Sequence, residues 1–138
     1  MIKVLPYTKE LLANFVYNGV DINIKGSYII PVVEFYAKLG ECYVGVVDNR
    51  VLMVGGVYPL WKDWGGCFLF LNKEGFQYKL SVFKIIKSYI EILVKKYGIK
   101  TLTVECIDGV MKAHRLIEHL GFQKNKEIKM MFYTKKEV

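Results

Sequence analysis

Apolar residues recur at spacings of three and four along residues 77–97: Val82, Ile86, Ile90, Leu93 and Tyr97. Lys84, Lys87, Glu91 and Lys95 line the opposite face. This spacing predicts an amphipathic helix, which Gly98 ends. The pattern changes on either side of it. CFLFL (67–71) is wholly apolar and predicts a short strand at the centre of a sheet. TLTVECI (101–107) predicts the next strand. Two strands joined by a crossover helix are expected to run parallel.

Upstream, MIKVL (1–5) reads as a first strand stopped by Pro6. Thr8 is placed to cap a helix over roughly 8–17 that Asn18-Gly19 ends. Residues 20–27 read as a loop. YIIPVVEFYAKL (28–39) predicts a second, mostly buried helix with Pro31 in its first turn and Gly40 after it. CYVGVV (42–47) and VLMVGGVY (51–58) flank Asp48-Asn49-Arg50, a hairpin signature. Gly55-Gly56 marks either a bulge or a close backbone approach. A Trp-rich turn, Leu60 to Gly66, is expected after Pro59.

Downstream, Asp108 is a suitable N-cap for a helix over 109–120, with Gly121 as its stop. Strands near 122–126 and 128–135 finish the chain. The predicted order is β-α-α-β-β-β-α-β-α-β-β, an α+β fold with a mixed central sheet and helices on both faces.

The 138 residues suit one domain, 1–138, able to bury a two-layer core. The 53% hydrophobic and 14% aromatic content excludes a disordered chain. No apolar run approaches the ~18 residues of a membrane span, and the first residues lack a signal-peptide segment. A soluble, cytoplasmic protein is therefore expected. Cys42, Cys67 and Cys106 are odd in number and far apart, without a CxxC pair. That pattern argues against a metal site or a disulfide framework and for thiols packed as small hydrophobes. The net charge of +7 favours anionic partners, a phosphate-bearing cofactor among them. The lysines are dispersed, and no aromatic-basic repeat of a base-stacking surface is present, so nucleic acid is not the expected partner.

The element order and the stretch 98–122, GIKTLTVECIDGVMKAHRLIEHLGF, resemble the GNAT superfamily of N-acetyltransferases. The likeness covers nearly the whole chain and is closest over 66–122. Its most specific piece is Ala113 through Leu120 followed by Gly121-Phe122, similar to the family's closing A-x-x-x-Y-x-x-x-G-F. The resemblance implies that the strands at 67–71 and 101–107 splay and that acetyl-CoA (coenzyme A) lies in the opening. It implies pantetheine contacts at Phe70 and Leu71 and pyrophosphate contacts at Gln77, Tyr78, Lys79, Leu80 and Ser81. Two departures stand out. The family's Q/R-x-x-G-x-G/A loop corresponds to Asn72–Ser81, which holds one glycine, Gly75. Ile117 stands where many members carry a proton-donating tyrosine. The wording HRLIEHLGF (His114 to Phe122) is similar to a divergent, phage-encoded branch that includes small internal virion proteins of tailed podophages. Membership there would put the protein in the host cytoplasm or the virion.

Acetyl transfer to an amine requires removing a proton from the amine and returning one to the thiolate. Glu105, on the face of its strand opposite Val104 and Cys106, reads as a general base or as a carboxylate paired with a nearby Lys or Arg. His114 and Tyr78 are further catalytic candidates. Glu34, in the second helix, reads as an amine-binding carboxylate or a solvent-facing one. Asp108 reads as a cap. Trp61, Trp64, Tyr58 and Phe70 are expected to pack as core near the acceptor side. The leading function is acetyl transfer from acetyl-CoA to a primary amine on a small molecule or protein. The alternative is a catalytically inactive scaffold acting on a phage or host partner. Nucleic-acid binding is a third, weaker reading.

Overall fold

The computed structural model describes residues 1–18, 24–105, 111–124 and 132–136. The elements are β1 (Lys3–Pro6), α1 (Lys9–Leu12), β2 (Val16–Tyr17), β3 (Ile24–Lys25), α2 (Gly26–Leu39), β4 (Glu41–Val47), β5 (Arg50–Trp61) and β6 (Trp64–Leu71). They continue with α3 (Lys73–Gln77), α4 (Lys79–Tyr97), β7 (Thr101–Glu105), α5 (Met111–His119), β8 (Gln123–Lys124) and β9 (Phe132–Lys136). The central sheet has the order β1-β4-β5-β6-β7-β9-β8. β6 and β7 are parallel across the α4 crossover, and the other pairs are antiparallel.

Side-chain alternation divides the sheet into two layers. On one face, α1 and α2 cover a core of Leu12, Phe15, Ile29, Val33, Cys42, Val44 and Val54. On the other, Leu93 and Val94 of α4 pack with Val57, Leu102, Val104 and Phe122, and Ile117 and Leu120 lie against them. A third cluster, Met53, Leu71 and Val82, seats the start of α4. The mixed sheet with helices on both faces is thus the architecture expected from the sequence.

Several local expectations are corrected. Thr8 does cap α1, its Oγ1 accepting from Leu11 N at 3.2 Å, but the helix ends at Leu12. Burying Phe15 and Tyr17 against α2 outweighs helix continuation, and Val16–Tyr17 pairs with Ile24–Lys25 instead. The described part of the expected loop is therefore strand and helix. α2 starts at Gly26, which puts Pro31 inside the helix rather than in its first turn. The Asp48-Asn49 turn is a two-residue one, both residues having positive φ (46° and 66°). The bulge lies opposite Gly45/Val46 and leaves Leu52 unpaired. Gly55-Gly56 is the close approach: a Cβ on Gly55 would lie 2.8 Å from the Phe68 carbonyl oxygen, and one on Gly56 would overlap the Glu41 carbonyl oxygen. β5 continues through Pro59, so the Trp-rich turn reduces to Lys62-Asp63 between paired Trp61 and Trp64. The last two strands are described over Gln123–Lys124 and Phe132–Lys136, and β9 lies between β7 and β8. Cys106 and the Asp108 cap lie outside the described residues.

Candidate active site

The parallel ladder of β6 and β7 is short. It runs from Trp64↔Thr101 to Cys67↔Val104. Beyond it, Phe68 to Leu71 stay paired with β5, whereas Glu105 pairs with Phe132 of β9. The strands are therefore joined at one end and parted at the other. The Thr103 hydroxyl donates to the Gly65 carbonyl at 3.1 Å and the Cys67 thiol to the Thr103 carbonyl at 3.6 Å, which fasten the joined end. Past the fork, alternating N–H and C=O groups of Phe68–Leu71 point toward the gap without a β7 partner among the described residues. A cavity of about 340 Å³ opens there, lined from both faces of the sheet.

Aromatic rings form one wall of this cavity. Tyr36 of α2 stacks on Tyr58 at 4.5 Å between centroids and on Phe68 at 4.7 Å, and Phe70 meets Phe68 and Tyr17 edge-on. Tyr58 lies over Gly66, where a Cβ would meet the phenol oxygen at 2.5 Å. Gly66 thus lets the phenol sit at the fork. Burial first, then neighbouring Tyr36, push the Tyr58 hydroxyl well above its ordinary pKa, and Glu105 adds to this through its charge. Glu105 itself is exposed and lines the cavity. Burial pushes the Cys67 thiol up to about 12, so it stays protonated and is no nucleophile at neutral pH. On the opposite face Ile117 lines the cavity with Ile86 and Tyr89.

Residues 72–78, which align with the phosphate loop, form α3 and a break at Tyr78 rather than the open start of one long helix. Asn72 organises the segment. Its Oδ1 accepts from Gly75 N at 2.8 Å, and its Nδ2 donates to the Val51 carbonyl at 2.9 Å. Lys73 N donates to Asn18 Oδ1 at 2.8 Å. Amides that would face an anion in an open glycine loop are thus bonded internally. Gly75 serves packing, since a Cβ there would strike Leu71 and crowd the Leu52 carbonyl. Arg50 and Glu74 form a two-pronged ion pair at 2.7–3.0 Å that ties the hairpin to α3. Anion-binding capacity remains at the start of α4, where the amides of Lys79, Leu80 and Ser81 have no carbonyl within that helix to bond. Gln77, Lys79 and Ser81 are exposed around it, and Leu80 is 78% exposed.

The sequence candidates are not all brought together. Glu105, Phe70 and Leu71 line the cavity. Tyr78 packs beside Met53, Leu71 and Val82 and is not among the lining residues. Glu34 accepts a hydrogen bond from the Tyr7 hydroxyl at 3.1 Å, beside rather than in the cavity. His114 is buried and also lies outside the lining. Trp61 and Trp64 are not core: they stand 71% and 38% exposed at the β5–β6 hairpin tip. Sequence reading missed the placement of Tyr58 at the fork, which only the β5–β6 register puts over Gly66. It also missed a polar knot around Glu41, which reaches the cavity through Tyr43. Glu41 bonds Lys96, the Tyr43 hydroxyl at 2.8 Å and the Tyr97 hydroxyl at 3.3 Å, and Lys96 leads the causes that lower its pKa.

The fork, the crossover and the α4 terminus together are the frame of the GNAT acetyltransferases, and the chain has that fold. It is similar over 99% of both chains to a GNAT-family acetyltransferase from Staphylococcus aureus Mu50, with a TM-score of 0.75 at 17% identity. It is similar to a GNAT-family acetyltransferase from Elizabethkingia anophelis with acetyl-CoA bound, with a TM-score of 0.67, 15% identity and 99% and 98% of the two chains covered. A Bacillus subtilis acetyltransferase in complex with CoA matches over 100% of both chains, with a TM-score of 0.67 and 15% identity. No protein-family model and no curated protein matches the sequence. The likeness to a phage-encoded branch gains no support from these structures. Among the described residues no helix is long and apolar enough to cross a membrane, and none of their His, Cys, Asp and Glu side chains group as a metal site.

Proposed function

We propose that the protein transfers an acetyl group from acetyl-CoA to a primary amine. The observation that carries this is the parting of β6 and β7 after Cys67↔Val104 into a cavity reached from both faces. The residues present fit the cofactor. The edge of Phe68–Leu71 that has no β7 partner among the described residues matches an amide-bearing pantetheine arm, and the α4 terminus with Gln77, Lys79 and Ser81 matches a phosphate group. Bound acetyl-CoA supplies an activated acyl group and a thiolate leaving group.

Glu105 at the cavity rim accepts a proton from the acceptor ammonium, directly or through water, freeing the lone pair that forms the new C–N bond. As the carbon–sulfur bond breaks, the Tyr58 hydroxyl, held over Gly66 at the fork, delivers a proton to the sulfur. Tyr58 regains that proton as the nitrogen sheds its second one. Backbone N–H groups past the fork stabilise charge on the carbonyl oxygen. Tyr58 thereby takes over the role that Ile117 cannot fill.

Calorimetry with acetyl-CoA and an amine-acetylation assay test the proposal. Wild type is expected to bind at sub-millimolar cofactor. Tyr58→Phe and Glu105→Gln are expected to lower kcat by about 10²-fold or more, in line with loss of acid–base assistance. No binding at millimolar acetyl-CoA would reject the reading.

A further inference from the structure

Resting on the acetyl-transfer reading, we infer that the acceptor is an aryl-bearing monoamine without a carboxylate, and that Tyr36, Tyr58 and Phe68 select it. Three observations converge. The acceptor-side wall is a continuous aromatic stack, Tyr58–Tyr36–Phe68, with centroid separations of 4.5 and 4.7 Å. Such a wall pairs with another ring by offset stacking and edge contacts. Glu105 is the one formally charged side chain among the described lining residues. A single carboxylate matches a single ammonium. Against the described lining residues, a polyamine would leave its other cations unpaired and an amino acid would bring a carboxylate to side chains that include no cation.

The third observation is the mouth. Val32 lines the cavity and is 42% exposed. It belongs to a stripe of exposed apolar residues on α2, Tyr28, Val32, Phe35 and Leu39, at 74%, 42%, 60% and 42% exposure. These positions recur at spacings of four and three, so they share one helix face. Phe35 also meets Tyr36 edge-on at 5.6 Å. The apolar surface therefore runs from outside the protein to the ring stack without a charged step along that face. An amine with a hydrophobic body enters along it, ring first against the stack and ammonium toward Glu105.

The test uses full-length protein with acetyl-CoA and four acceptors: 2-phenylethylamine, tryptamine, phenylalanine and spermidine. The expected result is a kcat/KM for the two arylamines at least about 10-fold above that for phenylalanine and spermidine. Higher turnover with spermidine or phenylalanine overturns the acceptor class and leaves acetyl transfer standing. Saturation-transfer NMR with 2-phenylethylamine, read without turnover, separates the two claims. Saturation of its ring protons is expected, with dissociation about 10-fold weaker in Glu105→Gln and weaker again in Tyr36→Leu. If acetyl-CoA does not bind but the ring protons saturate, the transferase reading fails and the cavity's preference stands. If the ring protons do not saturate, the preference itself is wrong.

Discussion

Asn72 holds α3 against the sheet through both ends of one amide, and replacing it isolates that role. In Asn72→Ala, Gly75 N loses its acceptor at 2.8 Å and the Val51 carbonyl loses its donor at 2.9 Å. The lost cap costs about 1 kcal/mol, and the lost bond to a half-buried carbonyl costs about 1 kcal/mol more. For a domain of this size the combined ~2 kcal/mol lowers Tm by about 6–10 °C. Asn72→Asp keeps the cap acceptor and loses the Val51 donor, so about half that shift is expected. Circular-dichroism melting of the three proteins measures both. A shift under about 2 °C for Asn72→Ala would show that packing of Leu71, Gly75 and Phe76 holds α3 without the amide, and would refute this account of the closed phosphate-loop region.

Two further outcomes follow from the protonation chemistry. Burial pushes Cys42 and Cys67 up to about 12; at pH 8 about one thiol in ten thousand is ionised, so iodoacetamide should leave both unmodified in native protein and alkylate them in denaturant. Because the folded value lies above the unfolded one near 8.5, their contribution to stability is full below about pH 8.5 and is lost as pH rises toward 12. Glu41 has the opposite sign. Lys96, and after it Tyr43, hold its carboxyl below the ordinary range. Its contribution is present above the unfolded value near 4.3 and lost as pH falls through the folded one, so Glu41→Gln should flatten the acid limb of a stability–pH curve.

The architecture was legible where one period dominated. Val82, Ile86, Ile90 and Leu93 announce α4, and the apolar run 67–71 announces a central strand, because burial on one or both faces leaves a clear pattern. Local pattern failed where distant contacts decided. Nothing in residues 8–17 shows that Phe15 and Tyr17 will be buried against α2. Nothing near Asn72 shows that Val51 and Gly75 will share its amide. The site divides the same way. Glu105 stood out as a carboxylate in an apolar strand. Tyr58 did not, because its placement depends on the register that sets it opposite Gly66 and beside β7. Trp61 and Trp64 misled for the complementary reason: large apolar side chains are expected inside, and a hairpin tip carries them out.

The central claim is that the gap past Cys67↔Val104 receives acetyl-CoA, and amide hydrogen exchange with and without the cofactor addresses it directly. The account predicts that acetyl-CoA slows exchange in Phe68–Leu71 and at Lys79–Ser81 while leaving the β1–β4 pairing unchanged. Unaltered exchange in Phe68–Leu71 at saturating acetyl-CoA, or protection confined to other segments, would contradict it.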